Sequence, residues 1–523
     1  MASTTTVNAL VALAVVYGIA WVLLRSTQDS REPPTIDSSI PFITPLINMV
    51  AKGPRYFKSR SNVPFYTLRL PGQRMYIVNS TALIPLMNRK APTISFEPIL
   101  IKVAAGLMGF SKSGMDILEH TPQDGGHGLL EDSAKNTRVH LAPGTQLHAL
   151  DRRLIKQIQS NLDLLVGESA KEPRTINLCE WLTTTITKIS TETIYGPLNP
   201  MRDPANVQAW QDVGQGFIPL LVNILPSFVA GKSVQARQRL VDGFKTYYEK
   251  EGYAHPDTSA LIRNRQALFQ SRGMSNSDMA RHEVAATLAL LINTIPATFW
   301  FTYHLFSDAE ALADCRRELA AGVNVDPSTG RRSIDLAFVK TSCPTLLSTF
   351  KETLRFHGIN VAPRVILEDT LVDGRFLLKK GGVLLIPATV QHGLASVWGE
   401  DVDEFRYKRF VRDPEKGSQR LYDPSAFRVF GGGSVVCPGR YFATTEILSL
   451  AAMIILQFDV RPAAGGAWKM PTVEKSNPAI SFQQPDYDVG IELHPRDEPP
   501  CEIVAGGSYD RVESSLAKEF NVE

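Results

Sequence analysis

The sequence predicts a mainly α-helical domain with small β-sheets, preceded by one N-terminal transmembrane helix. Three observations predict it. Helix-period apolar patterns dominate from Gln146 onward, strand-like runs are few and short, and Val7 to Leu24 carries no charged residue. At 523 residues the chain can bury a large core, and 44% hydrophobic with 21% charged residues is an ordinary globular mix. Basic and acidic residues number 55 and 53, a formal net charge of +2, with no long basic run. Nothing in this balance argues for a nucleic-acid partner. The five cysteines, Cys179, Cys315, Cys343, Cys437 and Cys501, are scattered and odd in number. They form neither a disulfide framework nor a zinc pattern, and a reducing compartment suits them.

The 18 residues Val7–Leu24 reach the length of a membrane-spanning helix, about 17–25 residues. Arg25 and Arg31 follow and no basic residue precedes, so the positive-inside rule puts the following domain in the cytosol. A cleaved signal peptide fits less well, for want of a basic start and a clear cleavage site. Residues 1–32 thus read as anchor and linker, 33–496 as the main folded domain and 497–523 as a polar tail that frays. Pro33, Pro34, Pro41 and Pro45 form a stiff connector after the anchor, at the start of the domain. Phe65–Leu70 and Met75–Val78 read as a strand pair. Asn79-Ser80-Thr81 matches a glycosylation acceptor by chance if the domain is cytosolic. Gly109 to Asn136 reads as a long polar loop. Helices are expected at Leu147–Leu165, Leu178–Ile194, Val207–Leu225, Val234–Glu251, Asp278–Phe306, Ala309–Ala321, Ile334–Phe356 and Tyr441–Phe458. Two short strands are expected within Phe376–Pro387 and a final hairpin within Ser476–Leu493.

One string carries chemistry on its own. Phe430-Gly431-Gly432-Gly433-Ser434-Val435-Val436-Cys437-Pro438-Gly439-Arg440 sets a cysteine in a Gly-rich loop just before a helix. A thiolate there suits a haem iron, onto which it pushes electron density that favours O–O cleavage. Loop N–H groups and the helix start are expected to depress the thiol pKa. The bland alternative is a buried free cysteine in a turn. Upstream, Glu352 and Arg355 stand at i and i+3 and share a helix face. Alone they read as a solvated surface pair.

These strings resemble the cytochrome P450 superfamily. Its loop, Phe-x-x-Gly-x-Arg-x-Cys-x-Gly, is matched at Phe430, Gly433, Cys437 and Gly439, while Val435 replaces the Arg that pairs with a haem propionate. The resemblance implies the cytochrome P450 fold and haem b with Cys437 as axial ligand to iron. It implies Arg364 as the remaining propionate partner and Glu352, Arg355 and Arg409 as a buried brace for the loop. The family proline before Arg409 is Tyr407 here. His392 and Trp398 fall where relatives pack a His and a Trp near the haem, although a satisfied structural role is the safer reading for a lone His.

The family's oxygen-side helix carries Ala/Gly-Gly-x-Asp/Glu-Thr. Here the string is Leu290-Leu291-Ile292-Asn293-Thr294-Ile295-Pro296. Thr294 is kept, Asn293 replaces the acid and Leu291 the glycine. An amide hydrogen-bonds but delivers no proton by ionising. Pro296 should kink the helix and free carbonyls near Ile292 and Asn293. The run from Asn293 to Trp300, Val435 and the Gln484–Asp488 string resemble the branch of sterol 7-alpha-hydroxylases and prostacyclin synthase. That branch holds hydroxylases and isomerases, and Thr294 tilts the reading toward a monooxygenase with Thr294 and Asn293 as catalytic pair.

By analogy the substrate is lipophilic and polycyclic, a terpenoid, meroterpenoid or steroid-like secondary metabolite of a filamentous fungus, with Leu290, Val361 and Ala479 facing it alongside Asn293. No nicotinamide or flavin fingerprint occurs, so NADPH acts only through a partner, NADPH-cytochrome P450 reductase, with cytochrome b5 a second candidate. The implied location is the endoplasmic reticulum membrane, single-pass. The alternatives are a reductase-independent isomerase or dehydratase, and a non-catalytic haem-binding protein.

Overall fold

The computed structural model describes residues 4–120, 127–169, 172–412 and 422–506. The chain divides into two compact units, Met1–Ile99 with Gly358–Glu404 and Tyr422–Val436, and Leu100–His357 with Phe405–Leu421 and Cys437–Glu523.

The first unit opens with the helix Thr4–Thr27, whose Leu10, Leu13, Val16 and Val22 are exposed. It is long and apolar enough to cross a membrane. A five-stranded sheet follows in the order Phe65–Leu70, Gln73–Val78, Val383–Leu385, Arg364–Ile366, Ile94–Ser95. The first two strands pair antiparallel from Phe65↔Val78 to Leu70↔Gln73. Gly72 in the connecting turn has φ 68°, a conformation glycine adopts without strain. Alternate residues serve two cores: Tyr66, Leu68 and Ile77 pack with Tyr56 on one face, while Phe65, Tyr76 and Val78 pack with Leu378 and Leu384 on the other. Asn79 is 2% exposed and its amide donates to the carbonyls of Arg60 and Val63, both at 2.8 Å. Such burial leaves no room for a glycan.

The second unit is built on helices. Thr145–Ser169, Leu178–Tyr195, Gly231–Glu249 and Ala309–Ala321 fall where the periodicity puts them. In Arg440–Gln457 every residue from Thr444 onward is buried, as suits a helix apolar all round. Two three-stranded sheets complete it among the described residues.

Several expectations are corrected. The stretch 109–136 is not one loop: Lys112–Glu119 is helical, started by Ser111 accepting the Gly114 N–H at 3.1 Å, and Leu129–Leu141 begins a second helix. Val207–Leu225 breaks at Gly216 into Pro204–Gln215 and Phe217–Val222. Ile334–Phe356 is a strand, Arg332–Asp335, then helices Leu336–Thr341 and Pro344–His357, the second opening on a proline that needs no N–H there. The helix Ala260–Ser271 escaped the periodicity. Ser476–Leu493 forms no hairpin. Gly490–Pro495 pairs with Phe458–Pro462 and Arg174–Asn177, while Asp486 organises the preceding loop by accepting from Thr472 and from the N–H groups of Glu474 and Lys475. The start of the tail does not fray: Cys501–Val504 pairs in parallel with Arg332–Asp335 and buries Cys501 and Ile503. Residues 507–523 lie outside the described residues.

A candidate haem-thiolate site

In the second unit, Cys437 precedes the helix Arg440–Gln457. The Arg440 guanidinium donates to the Cys437 carbonyl at 2.9 Å and lies 4.2 Å from the Tyr441 ring centroid. Burial pushes the Cys437 thiol up, against the N–H groups of Gly439 and Arg440 and the Arg440 charge. The expected depression is therefore reversed in the protein alone, because desolvation of a thiolate outweighs two N–H groups and one partly solvated cation. Coordination to a metal deprotonates a thiol outright. A Cβ on Gly439 would come 3.9 Å from the sulfur, ordinary contact.

The same unit holds the charged cluster expected from Glu352, Arg355 and Arg409. Arg355 donates to both oxygens of Glu352, at 2.7 and 2.8 Å, and Arg409 to Oε1 at 3.0 Å. The Arg406 N–H adds a further bond to Oε1 at 3.0 Å. All three side chains are nearly excluded from solvent. Glu352 and Arg355 sit at the end of the helix Pro344–His357, so the pair is a buried joint between this helix and the segment 405–410, not a surface pair.

The oxygen-side helix is broken four residues before its proline. Asn276–Leu291 ends, Ile292 and Asn293 intervene, and Thr294–Ser307 resumes. Pro296 lacks the N–H that would reach the Ile292 carbonyl, and its ring crowds that carbonyl. The Asn293 carbonyl is not freed as expected, since it accepts from the Ala297 N–H at 3.1 Å. Thr294, 8% exposed, donates to the Leu290 carbonyl at 2.9 Å. The Asn293 Oδ1 accepts from the Ser481 N–H at 3.0 Å. A backbone N–H can only donate, so this bond fixes the amide's orientation and leaves Nδ2 as its outward donor.

In the first unit two arginines are buried close together, Arg364 at 1% and Arg428 at 3% exposure. Arg364 donates to Asn88 Oδ1 at 3.0 Å and to the Gly432 carbonyl at 2.9 Å. Arg364 Nε and Arg428 Nε and Nη2 have no protein partner among the described residues. His392 accepts the Arg428 N–H at 3.1 Å, and Trp398 donates to the Gln391 carbonyl at 2.9 Å. Gly433 has φ 61°, and a Cβ there would come 2.7 Å from Asn88. Phe430 is half-buried.

A cytochrome P450 family model matches residues 109–490. The chain belongs to the cytochrome P450 family. The P450 monooxygenase nodJ of Hypoxylon pulicicidum is 32% identical over 495 residues, 92% of this chain and 93% of the relative. Cholesterol 7-alpha-monooxygenase of Cricetulus griseus is 21% identical over 511 residues, 91% of this chain and 98% of that one. Among solved structures, retinoic acid-bound cyanobacterial CYP120A1 shares the fold at a TM-score of 0.64 and 18% identity, over 89% of this chain and 99% of that one.

As a P450 monooxygenase the chain uses a haem-thiolate cofactor. Its residues fit one: buried guanidinium groups without acidic partners among the described residues suit the haem's carboxylates, and Cys437 suits the iron. The residues expected to face substrate are less uniform. Leu290 is half-buried, Val361 packs against the Tyr56 core of the first unit, and Ala479 is exposed beside buried Ile480 and Phe482. Sequence reasoning missed Ser481 as the Asn293 partner and missed Arg428 altogether. The second had a signal, a charged residue inside the otherwise apolar run Ala426–Phe430.

Proposed function

We propose that this P450 hydroxylates, or otherwise oxidises, a lipophilic polycyclic substrate of the terpenoid, meroterpenoid or steroid-like kind in fungal secondary metabolism. It uses dioxygen and two electrons delivered from NADPH by a membrane-bound reductase, and sits in the endoplasmic reticulum membrane by its N-terminal helix with the catalytic domain cytosolic. Likeness to a Hypoxylon enzyme supports the fungal setting, and likeness to cholesterol 7-alpha-monooxygenase supports the polycyclic substrate. Bound haem supplies dioxygen activation.

The observation that carries the oxygenase reading is the Asn293–Thr294 pair at the helix break. Thr294 offers a hydroxyl whose proton is held by the Leu290 carbonyl until a better acceptor arrives. Asn293, held by the Ser481 N–H, presents Nδ2 to order a water beside it. Together they relay a proton without an ionisable acid. Glu352, Arg355 and Arg409 position the cysteine loop, and Cys437 binds the iron.

The test is isotopic. The chain and its Cys437→Ala variant are expressed with a reductase, offered terpenoid and steroid candidates, and supplied with labelled dioxygen. A cysteine-dependent product carrying one labelled oxygen is expected. A cysteine-dependent product of unchanged mass, formed without NADPH, would replace this reading with an isomerase.

A further inference from the structure

Arg428 is a buried cation with no counter-charge among the described residues. Its backbone is held on both sides: the N–H donates to His392 Nε2, and the carbonyl accepts from Asn360 Nδ2 at 2.8 Å and from the Gly431 N–H at 3.0 Å. The backbone from which the buried side chain departs is therefore fixed. A Cβ on Gly432 would fall 2.9 Å from Arg428 Nη1, so the guanidinium lies directly against the cysteine loop. Arg364 reaches the same glycine, donating to its carbonyl. Two guanidinium groups thus converge on Gly432, and burial together with the Arg364 charge pushes the Arg428 pKa down to about 10. Two like charges placed together out of water, with unfilled donors, are unfavourable unless an anion joins them.

The loop also lacks the family's propionate-pairing cation, since Val435 stands where the family has the arginine. We propose that Arg428, with Arg364, forms the carboxylate cradle for the haem propionates and replaces the cation missing at Val435. The planar fork of Nε and Nη2 matches a carboxylate with two parallel bonds. The loop's charge has moved from position 435, in the short turn Gly433–Val435, to Arg428, two residues before Phe430. Glycine at 432 is required because any side chain would displace the fork.

This inference rests on the haem-thiolate reading, and the experiment separates the two. Four holoenzymes are compared: wild type, Arg428→Leu, Arg428→Lys, and Arg428→Leu combined with Val435→Arg. The readouts are the rate of haem loss to an excess of an apo-globin acceptor and the propionate-bending bands in resonance Raman spectra. The ferrous carbonyl spectrum of wild type reports the thiolate independently. Losing a charge-assisted pair should speed haem loss by about tenfold to a hundredfold in Arg428→Leu and shift the propionate bands. Arg428→Lys should lie between it and wild type. Val435→Arg should restore slow loss and the original bands, which repair of a merely structural defect would not do. Unchanged loss and unchanged bands in Arg428→Leu would overturn the proposal, as would failure of Val435→Arg to rescue a folded Arg428→Leu protein. A wild type without a thiolate spectrum would instead overturn the haem-thiolate reading.

Discussion

Glu446 shows how far a single buried group can tilt stability. It lies in the helix after Cys437, 1% exposed, with Ser190 donating to Oε1 at 2.6 Å and no protein partner for Oε2 among the described residues. Burial pushes its pKa up to about 8. A carboxyl whose folded pKa exceeds its unfolded value gives stability that is complete below the unfolded pKa and is lost as pH rises through the folded one. Between about pH 4.5 and 8, then, this residue makes wild type steadily weaker. Glu446→Gln, a mimic of the neutral acid, should match wild type near pH 4.5 and exceed it by a few kcal/mol at pH 8 in denaturant unfolding. Equal midpoints at both pH values would remove the argument. Thr294 illustrates the opposite case, a residue with little structural role. Its hydroxyl bonds only the carbonyl one turn back, so Thr294→Ala should leave thermal stability nearly unchanged. Product formed per NADPH consumed should fall several-fold, and unchanged coupling would place the proton path elsewhere.

Among the elements, the broken oxygen-side helix was readable and its anchor was not. Pro296 predicts a break four residues upstream, and the break lies there because it depends only on local backbone chemistry. That Ser481 holds the break open through Asn293 depends on a residue 188 positions away. Pro296→Ala should restore the missing N–H, close the helix and pull Asn293 off Ser481. Hydrogen exchange would register this as faster exchange at Ser481 and slower exchange at residues 292–297. The brace makes a second element-scale prediction. Glu352→Gln leaves two buried guanidinium groups without their carboxylate, a loss of about 3–5 kcal/mol. It should show as a lowered unfolding midpoint and poor haem incorporation, and normal stability would mean that water reaches the cluster.

At the scale of the whole molecule, the segment that follows the N-terminal apolar helix belongs to the folded body more than composition suggests. Glu32, inside the expected linker, accepts from the Tyr76 hydroxyl at 2.7 Å and pairs with Arg74 at 3.3 Å. The Arg31 carbonyl accepts the Leu377 N–H at 2.9 Å, and the Pro33 carbonyl accepts the Thr67 hydroxyl at 2.7 Å. Truncation up to Leu23 should release the chain from membranes with little change in Tm. Truncation up to Glu32 should also release it but lower Tm by a few degrees, because a buried phenol and Arg74 lose their acceptor. Calorimetry and vesicle flotation of the two truncations check both halves. If the shorter chain is equally stable, water substitutes for Glu32.

What the sequence determined by itself was whatever contiguous residues encode: the apolar N-terminal helix, most helices, the cysteine loop, the Glu352–Arg355 spacing and the proline break. It also marked the missing loop arginine at Val435. Only the tertiary structure brings a second candidate for that charge, Arg428, against the loop. Arg428 is informative because His392 and Asn360 hold its backbone and Gly432 makes room for its side chain, and no local pattern joins those positions. Likewise Lys112–Glu119 and Leu129–Leu141 form helices in the polar stretch after Gly109, and Cys501–Val504 forms a strand at the start of the tail, each burying apolar side chains. Local periodicity reports what a segment can hide, while burial depends on what the rest of the chain brings to meet it.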